Sequence, residues 1–247
     1  MGFITALRFL TVIPLPPGRK ASPQEVGRSL SYFPLVGLLL GLILAGLDQG
    51  LGLVLPSSVV NALLLVFLAL MTGAIHLDGF IDTCDGLVGG RTPQQRWEVM
   101  RDSRVGAFGV VGIFFLLLLK YVSLGGLPET SMLGALVLMP ILGRWAVVCC
   151  IFAFPYARPQ GLGRAFKEQA TWPRVALATA LALALSLGFL RLGGAVVMLG
   201  VGVVAFALAA FLRRKFAGLT GDAYGAIVEV SEVTALLLVI VIPAWSW

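Results

Sequence analysis

Apolar runs recur along this chain too densely for a water-soluble core to absorb. A helix needs about 20 consecutive apolar residues to cross the hydrocarbon of a bilayer. Runs of that kind lie near 32–55, 59–75, 107–124, 132–154, 175–190, 193–212 and 224–245. Of the 247 residues 59% are hydrophobic and 12% charged. The expected fold is therefore all-α, a polytopic transmembrane helix bundle of about seven spans. Residues 1–247 form a single integral membrane domain on this reading, with the lipid bilayer as its solvent. The apolar segment 3–13 is interrupted by Arg8 and closed by Pro14, Pro16 and Pro17. It is too short to span, and residues 1–30 are expected as an N-terminal arm, interfacial or partly ordered. No secretory signal is expected, because a basic start, long apolar core and cleavage site are lacking. Pro140 predicts a kink in the fourth span, and residues 191–192 are the only break between the fifth and sixth. Trp245 and Trp247 fit an interfacial anchor.

The basic residues are distributed unevenly. Arg8, Arg19, Lys20 and Arg28 lie in the arm; Arg91, Arg96, Arg101 and Arg104 in the 76–106 segment. Arg158, Arg164, Lys167 and Arg174 lie in the 155–174 loop, and Arg213, Arg214 and Lys215 in the 213–223 loop. With seven spans all of these fall on one side, leaving Lys120 and Arg191 opposite and Arg144 within the fourth span. The positive-inside rule then puts the N-terminus in the cytoplasm and the C-terminus outside. The same asymmetry accounts for the net charge of +6 without nucleic acid. Cys84, Cys149 and Cys150 make neither a disulfide framework nor a zinc-type spacing, and read as reduced and structural.

Chemistry concentrates in HLDGFIDTCDGLVGG, residues 76–90. Asp78, Asp82 and Asp85 are spaced i, i+4, i+7 and so share one helical face. Three acids that close repel one another unless a cation sits between them. An all-oxygen set suits Mg²⁺ or Mn²⁺ rather than zinc. A second set, Asp222, Glu229 and Glu232, shares a face at the start of the last span. Acids in apolar helices are costly and by default functional; the alternative is pairing with Arg144 or a loop arginine. Gly86, Gly89 and Gly90 permit close backbone approach to a ligand. Arg91, Arg101 and Arg104 are candidates to clamp phosphates, whereas Arg96 reads as a charge facing lipid headgroups. Asp102 is placed to join the metal shell or to orient its flanking arginines. Arg158 and Arg164 lie in a Gly- and Pro-containing loop that either covers a substrate or only connects. Arg144 needs an acidic partner. His76, the one histidine, is favoured as a substrate contact or as a support behind the metal-binding acids, over a ligand. Acids around a divalent ion, arginines and a glycine loop together suggest phosphoryl chemistry.

Several stretches resemble the adenosylcobinamide-GDP ribazoletransferase (cobalamin synthase) family. They are HLDGFIDTCDGLVGGR, MRDSRVGAFG, Arg144 with Trp145, PYARPQGLG, LTGDAYGAIVEVSE and the N-terminal FLTVIPLP and YFPLVGLLLG. They cover nearly the whole chain in order. The resemblance implies a Mg²⁺-dependent enzyme of the bacterial or archaeal inner membrane, and the topology above turns its active site to the cytoplasm. Such an enzyme joins adenosylcobinamide-GDP to α-ribazole or its 5′-phosphate, giving adenosylcobalamin or its 5′-phosphate and releasing GMP. On that basis Asp78, Asp82 and Asp85 are expected to bind Mg²⁺, with Asp222, Glu229 or Glu232 completing the shell. Asp82, Asp85 and Glu229 are the catalytic candidates. His76, Gly86, Arg91, Arg101, Arg104, Arg144 and Arg158 are the substrate-binding ones. An attacking phosphate would need no general base, whereas a ribazole 5′-hydroxyl would use one of the acids. A homo-oligomer is compatible with this.

Two rivals come from other classes. Residues 82–86, DTCDG, look like the opening of the CDP-alcohol phosphotransferase motif, but Gly89-Gly90-Arg91 replaces its AR and no second acidic pair follows. A secondary transporter would place acids near the midplane on broken helices, often in repeated halves. Here the acids are expected at one mouth, and no convincing repeat is found. GMP release would separate enzyme from carrier.

Overall fold

The computed structural model describes residues 2–15 and 21–242. Arg19, Lys20, Trp245 and Trp247 lie outside the described residues. The helices are α1 (Gly2–Leu10), α2 (Pro23–Ser29), α3 (Phe33–Gly52), α4 (Ser57–Met71), α5 (Ile75–Val88) and α6 (Pro93–Val99). They continue with α7 (Ala107–Gly125), α8 (Glu129–Ala153), α9 (Leu162–Gln169), α10 (Trp172–Phe216) and α11 (Gly221–Val241). Among the described residues the only β pairing is one isolated bridge, Tyr156 to Leu219. The all-α expectation holds. Five helical segments are long and apolar enough to cross a membrane: Gln24–Gly52, α7, α8, α10 and α11. α4 and α5 add a sixth if the bent pair counts as one span.

α8 is the central pillar. Every residue from 134 to 151 is buried, which explains an apolar run with no polar face. α3 lies against it through Gly37 and Gly41, spaced four apart as in close-packed membrane helices. A Cβ on Gly41 would stand 2.6 Å from Val137 Cα, so larger residues would force the helices apart. The helix continues through Pro140.

Two joints depart from straight helix. Gly73 (φ 60°) and Ala74 (φ 56°) are both left-handed, and α5 leaves α4 at 91°. The second apolar run therefore does not lead straight into the acidic stretch; it turns first. Gly73 adopts this conformation without a Cβ penalty, and Met71, just before the turn, accepts a hydrogen bond from Val12 N at 2.8 Å. The second joint lies inside α10, where Leu190 and Arg191 leave helical geometry. Thr179 and Gly202 would be about 35 Å apart in a continuous helix. Instead Trp145 Nε1 donates to Thr179 Oγ1 at 3.1 Å, and the same indole packs against Gly202. α10 is thus a hairpin whose arms fold back on each other, with Gly194 against the Ser186 carbonyl. The break expected at residues 191–192 is where the chain reverses.

The basic segments meet at one end of the bundle. Trp97 Nε1 donates to Phe216 O at 3.1 Å, joining α6 to the end of α10. Ser31 Oγ donates to Arg174 O at 3.3 Å, and Lys167 Nζ to Phe152 O at 2.7 Å. α1 is a helix whose Ala6, Leu7 and Leu10 are buried, so the N-terminal arm belongs to the core. Lys120 is a correction: rather than marking the opposite side, it is 2% exposed inside the bundle.

Candidate active site

The site forms where α5 crosses the first turn of α11. Two glycines allow the crossing. A Cβ on Gly79 would lie 2.8 Å from Asp222 O, and one on Gly225 would lie 2.9 Å from His76 O. Thr220 caps α11, its hydroxyl accepting from Ala223 N at 3.1 Å. The crossing brings Asp78 and Asp82 of α5 to Asp222 of α11. Asp78, Asp85 and Asp222 all act electrostatically on Asp82, with Arg158 as the opposing charge. Asp78 is exposed, while Asp82 and Asp222 are half-buried at the mouth.

Arg158 reaches the cluster from the loop after α8. That loop is tied to the α10–α11 turn by Ala157 N to Leu219 O and Leu219 N to Pro155 O, both 2.8 Å. Gly218 (φ 144°) makes the turn possible, since a Cβ there would strike Ala157. Arg158 Nη2 lies 2.8 Å from Asp222 Oδ2, while its buried Nε has no acceptor. A guanidinium with a donor left over is suited to a phosphate oxygen. Tyr156, beside it, has its phenol pushed up by burial, opposed by Arg158, raised further by Asp222 and lowered slightly by Arg101. Arg101 thus belongs to this neighbourhood.

Asp85 has another task. Its two oxygens accept from Gly106 N and Gly109 N, each at 2.8 Å. The carboxylate caps the N-terminus of α7, where it also meets the positive end of the helix dipole. Binding a cation would compete with both hydrogen bonds.

Glu229 and Glu232 do not join the aspartates. Deeper in the bundle, Lys120 Nζ lies 2.6 Å from Glu229 Oε2 and 2.5 Å from Glu232 Oε2. Arg144 pairs with the other Glu232 oxygen. Arg144 Nη2 also lies 3.5 Å from Nδ1 of the buried His76. Pairing with Arg144, the alternative weighed for Glu232, is what occurs. Both glutamates, expected as metal ligands, instead lie paired to a lysine from α7 and apart from the aspartates. The sequence reading placed Lys120 opposite the basic loops and missed this role, although a lone lysine in the apolar run 107–124 is itself a signal of a buried partner.

The glycine loop is filled by protein. A Cβ on Gly86 would run into Met100, one on Gly89 into Val99 and one on Gly90 into the α6 backbone. These glycines seat α6 against α5 rather than a ligand. Arg96 donates to the Gly86 and Leu87 carbonyls at the C-terminal end of α5, so it caps a helix rather than facing lipid. Arg104 pairs with Asp102 at 2.7 Å on the surface, and its guanidinium holds the Asp102 carboxyl down at about 2. Arg91 is exposed on the α5–α6 turn. Arg164 pairs with Glu168 at 2.7 Å.

Among the described residues no three His, Cys, Asp or Glu side chains stand together as a metal cage. The carboxylates gathered at the mouth, Asp78, Asp82 and the Arg158-paired Asp222, still fit Mg²⁺. That ion is held by one or two carboxylates with substrate phosphates and water rather than by an all-protein shell.

The chain was compared with known proteins. The family model described as cobalamin-5-phosphate synthase matches residues 2–240. An adenosylcobinamide-GDP ribazoletransferase of Geotalea daltonii is 40% identical over 97% of both chains. One from Pseudomonas putida is 42% identical over 95% of this chain and 96% of its own. One from Roseiflexus is 40% identical over 94% of this chain and 86% of its own. No solved structure matches.

Proposed function

The chain belongs to the cobalamin-5-phosphate synthase family, a family of transferases, and we propose that it joins adenosylcobinamide-GDP to α-ribazole or its 5′-phosphate, releasing GMP. The observation that carries this reading is the convergence of Asp78 and Asp82 with Asp222 and Arg158 at one mouth. That arrangement suits a diphosphate. The bond that forms joins a ribazole hydroxyl oxygen to the phosphorus bearing cobinamide. The bond that breaks joins that phosphorus to the bridging oxygen, and GMP leaves with the electron pair. On this reading a ribazole 5′-phosphate passes unchanged into the product, in keeping with the family description. The nucleophile is therefore a different ribose hydroxyl, not the 5′-hydroxyl or phosphate expected from sequence. Its proton needs an acceptor, and a mouth carboxylate oxygen not engaged by the metal is suited to that role. Arg158, with an unmatched donor, holds a phosphate oxygen, and Arg101 lies close enough to assist.

Mg²⁺ held by Asp78, Asp82 and Asp222 would neutralise charge on the diphosphate. Asp85 and the Lys120–Glu229–Glu232–Arg144 network position the helices that carry these groups. Seven spans follow if the α4–α5 pair counts once and the α10 hairpin twice. With the basic loops inside, the N-terminus and the active site face the cytoplasm. The setting is the cytoplasmic membrane. Purified protein given both substrates and Mg²⁺ should release GMP in proportion to cobalamin product. Absence of GMP release from folded protein refutes the reading.

In the DTCDG stretch shared with the phosphotransferase rival, Asp85 caps α7 and Gly86 packs against α6, and the charges deeper in the bundle are paired with one another. Neither observation favours the CDP-alcohol or transporter reading.

A further inference from the structure

Tyr156 lies on the loop that carries Arg158 to the acidic mouth. Its backbone bridges in parallel to Leu219, which holds the loop against the α10–α11 turn. Side chains two apart in extended chain face the same way, and Asp222 acts on both Tyr156 and Arg158. The Tyr156 ring packs on Tyr224 of the first turn of α11, with centroids 6.1 Å apart. The Gly221 N–H, next to Asp222, stands as a donor to the phenol oxygen, and Arg158 and Arg101 act on the same group electrostatically. Two glycines make room for it. A Cβ on Gly161 would lie 2.8 Å from Tyr156 Oη, and one on Gly163 would lie 2.6 Å from its Cε2. Gly161 has φ 128°, a conformation that suits glycine alone. The loop is thus shaped around the phenol.

A phenol can accept through its oxygen and has one hydrogen to give. Among the described residues no oxygen accepts that hydrogen. The cationic neighbours, Arg158 and Arg101, can only donate, and Asp222 Oδ2 is taken by Arg158. The Tyr224 hydroxyl is sealed in the bundle, whereas the Tyr156 hydroxyl is not, and Tyr156 is only half-buried. The space beside Gly221 is open too, since a Cβ there would meet nothing within 4 Å. An acceptor arriving at the mouth can therefore take the phenol hydrogen. We propose that the Tyr156 hydroxyl contacts the diphosphate of the substrate, donating to a phosphate oxygen beside Arg158. The proposal rests on the transferase reading above and adds a neutral donor to its diphosphate site. Unlike a further cation, a phenol adds this contact without pairing with the aspartates around it.

The test uses the full chain in nanodiscs, with GMP release as readout and each substrate varied in turn. Tyr156→Phe removes only the hydroxyl and keeps the ring packing. KM for adenosylcobinamide-GDP should rise about tenfold or more, the worth of a hydrogen bond to a charged group. KM for α-ribazole should stay within about twofold. Tyr224→Phe trims the sealed hydroxyl of the ring packed behind, and should leave both KM values within about twofold. An unchanged KM for adenosylcobinamide-GDP in Tyr156→Phe, an equal rise for both substrates, or the same rise in Tyr224→Phe overturns the proposal. Equilibrium dialysis of inorganic pyrophosphate with Mg²⁺ keeps the two readings apart. Wild-type binding that weakens about tenfold in Tyr156→Phe supports the contact even if no GMP is released. Equal binding by the two proteins, or none by the wild type, refutes it.

Discussion

Lys120→Met should unfold the bundle more readily than any surface change. The lysine is 2% exposed, 2.6 Å from Glu229 and 2.5 Å from Glu232. Arg144 is committed to Glu232, so removing Lys120 strips Glu229 of its cation. Two glutamates, one lysine and one arginine balance to zero; without the lysine one negative charge is left over in a low-dielectric interior. Breaking a buried pair from one side costs about 3–5 kcal/mol, mostly the penalty of the charge left behind. For a chain of this size each kcal/mol shifts Tm by roughly 2–4 °C, which predicts a fall of about 6–20 °C. Thermal unfolding in detergent, followed by circular dichroism, reads this. Lys120→Met with Glu229→Gln restores neutrality and should recover most of the loss. A Tm for Lys120→Met within about 2 °C of wild type would refute the buried network and return Lys120 to the membrane surface.

Asp85→Asn keeps one acceptor where two backbone N–H groups need one each, so it should lose about 1–2 kcal/mol as a damaged helix cap, seen as a lower Tm. Asp82→Asn relieves repulsion among carboxylates and should leave Tm unchanged or higher while GMP release falls by about 100-fold or more. Arg158→Lys replaces a fork with a point charge and should raise KM for adenosylcobinamide-GDP by about tenfold with the fold intact. Gly79→Ala forces a Cβ to within 2.8 Å of Asp222 O, and should cost about 1–3 kcal/mol by overpacking, measured as a fall in Tm together with activity.

Helix class and the grouping of basic loops were legible because bilayer thickness and loop charge act on single segments. The placing of Asp78, Asp82, Asp222 and Arg158 was legible too, since a topology that brings these loops to one end leaves them little choice of neighbour. The glutamates were misread for a reason spacing cannot reveal. Glu229 and Glu232 share a face, but what faces them comes from Lys120, more than a hundred residues away. Asp85 lies on the face of Asp78 and Asp82, yet the start of α7 claims it, and no local pattern announces that. The glycines were ambiguous in principle: Gly86 and Gly79 both mark close approach, one by a methionine and the other by a helix backbone. Tyr156 carries no local mark either, since Gly221 and Asp222, which stand beside its phenol, come from α11, a conjunction only the fold makes visible.

Metal-directed backbone cleavage reads the convergence of α5 and α11 most directly. With Fe²⁺ in place of Mg²⁺, adenosylcobinamide-GDP present and ascorbate added, radicals cut the chain near the bound ion. Cuts clustered both around residues 78–82 and around residue 222, and lost together in Asp82→Asn, are the predicted outcome. Cuts confined to one of these helices, or centred on residues 229–232, would contradict a shared site at the mouth.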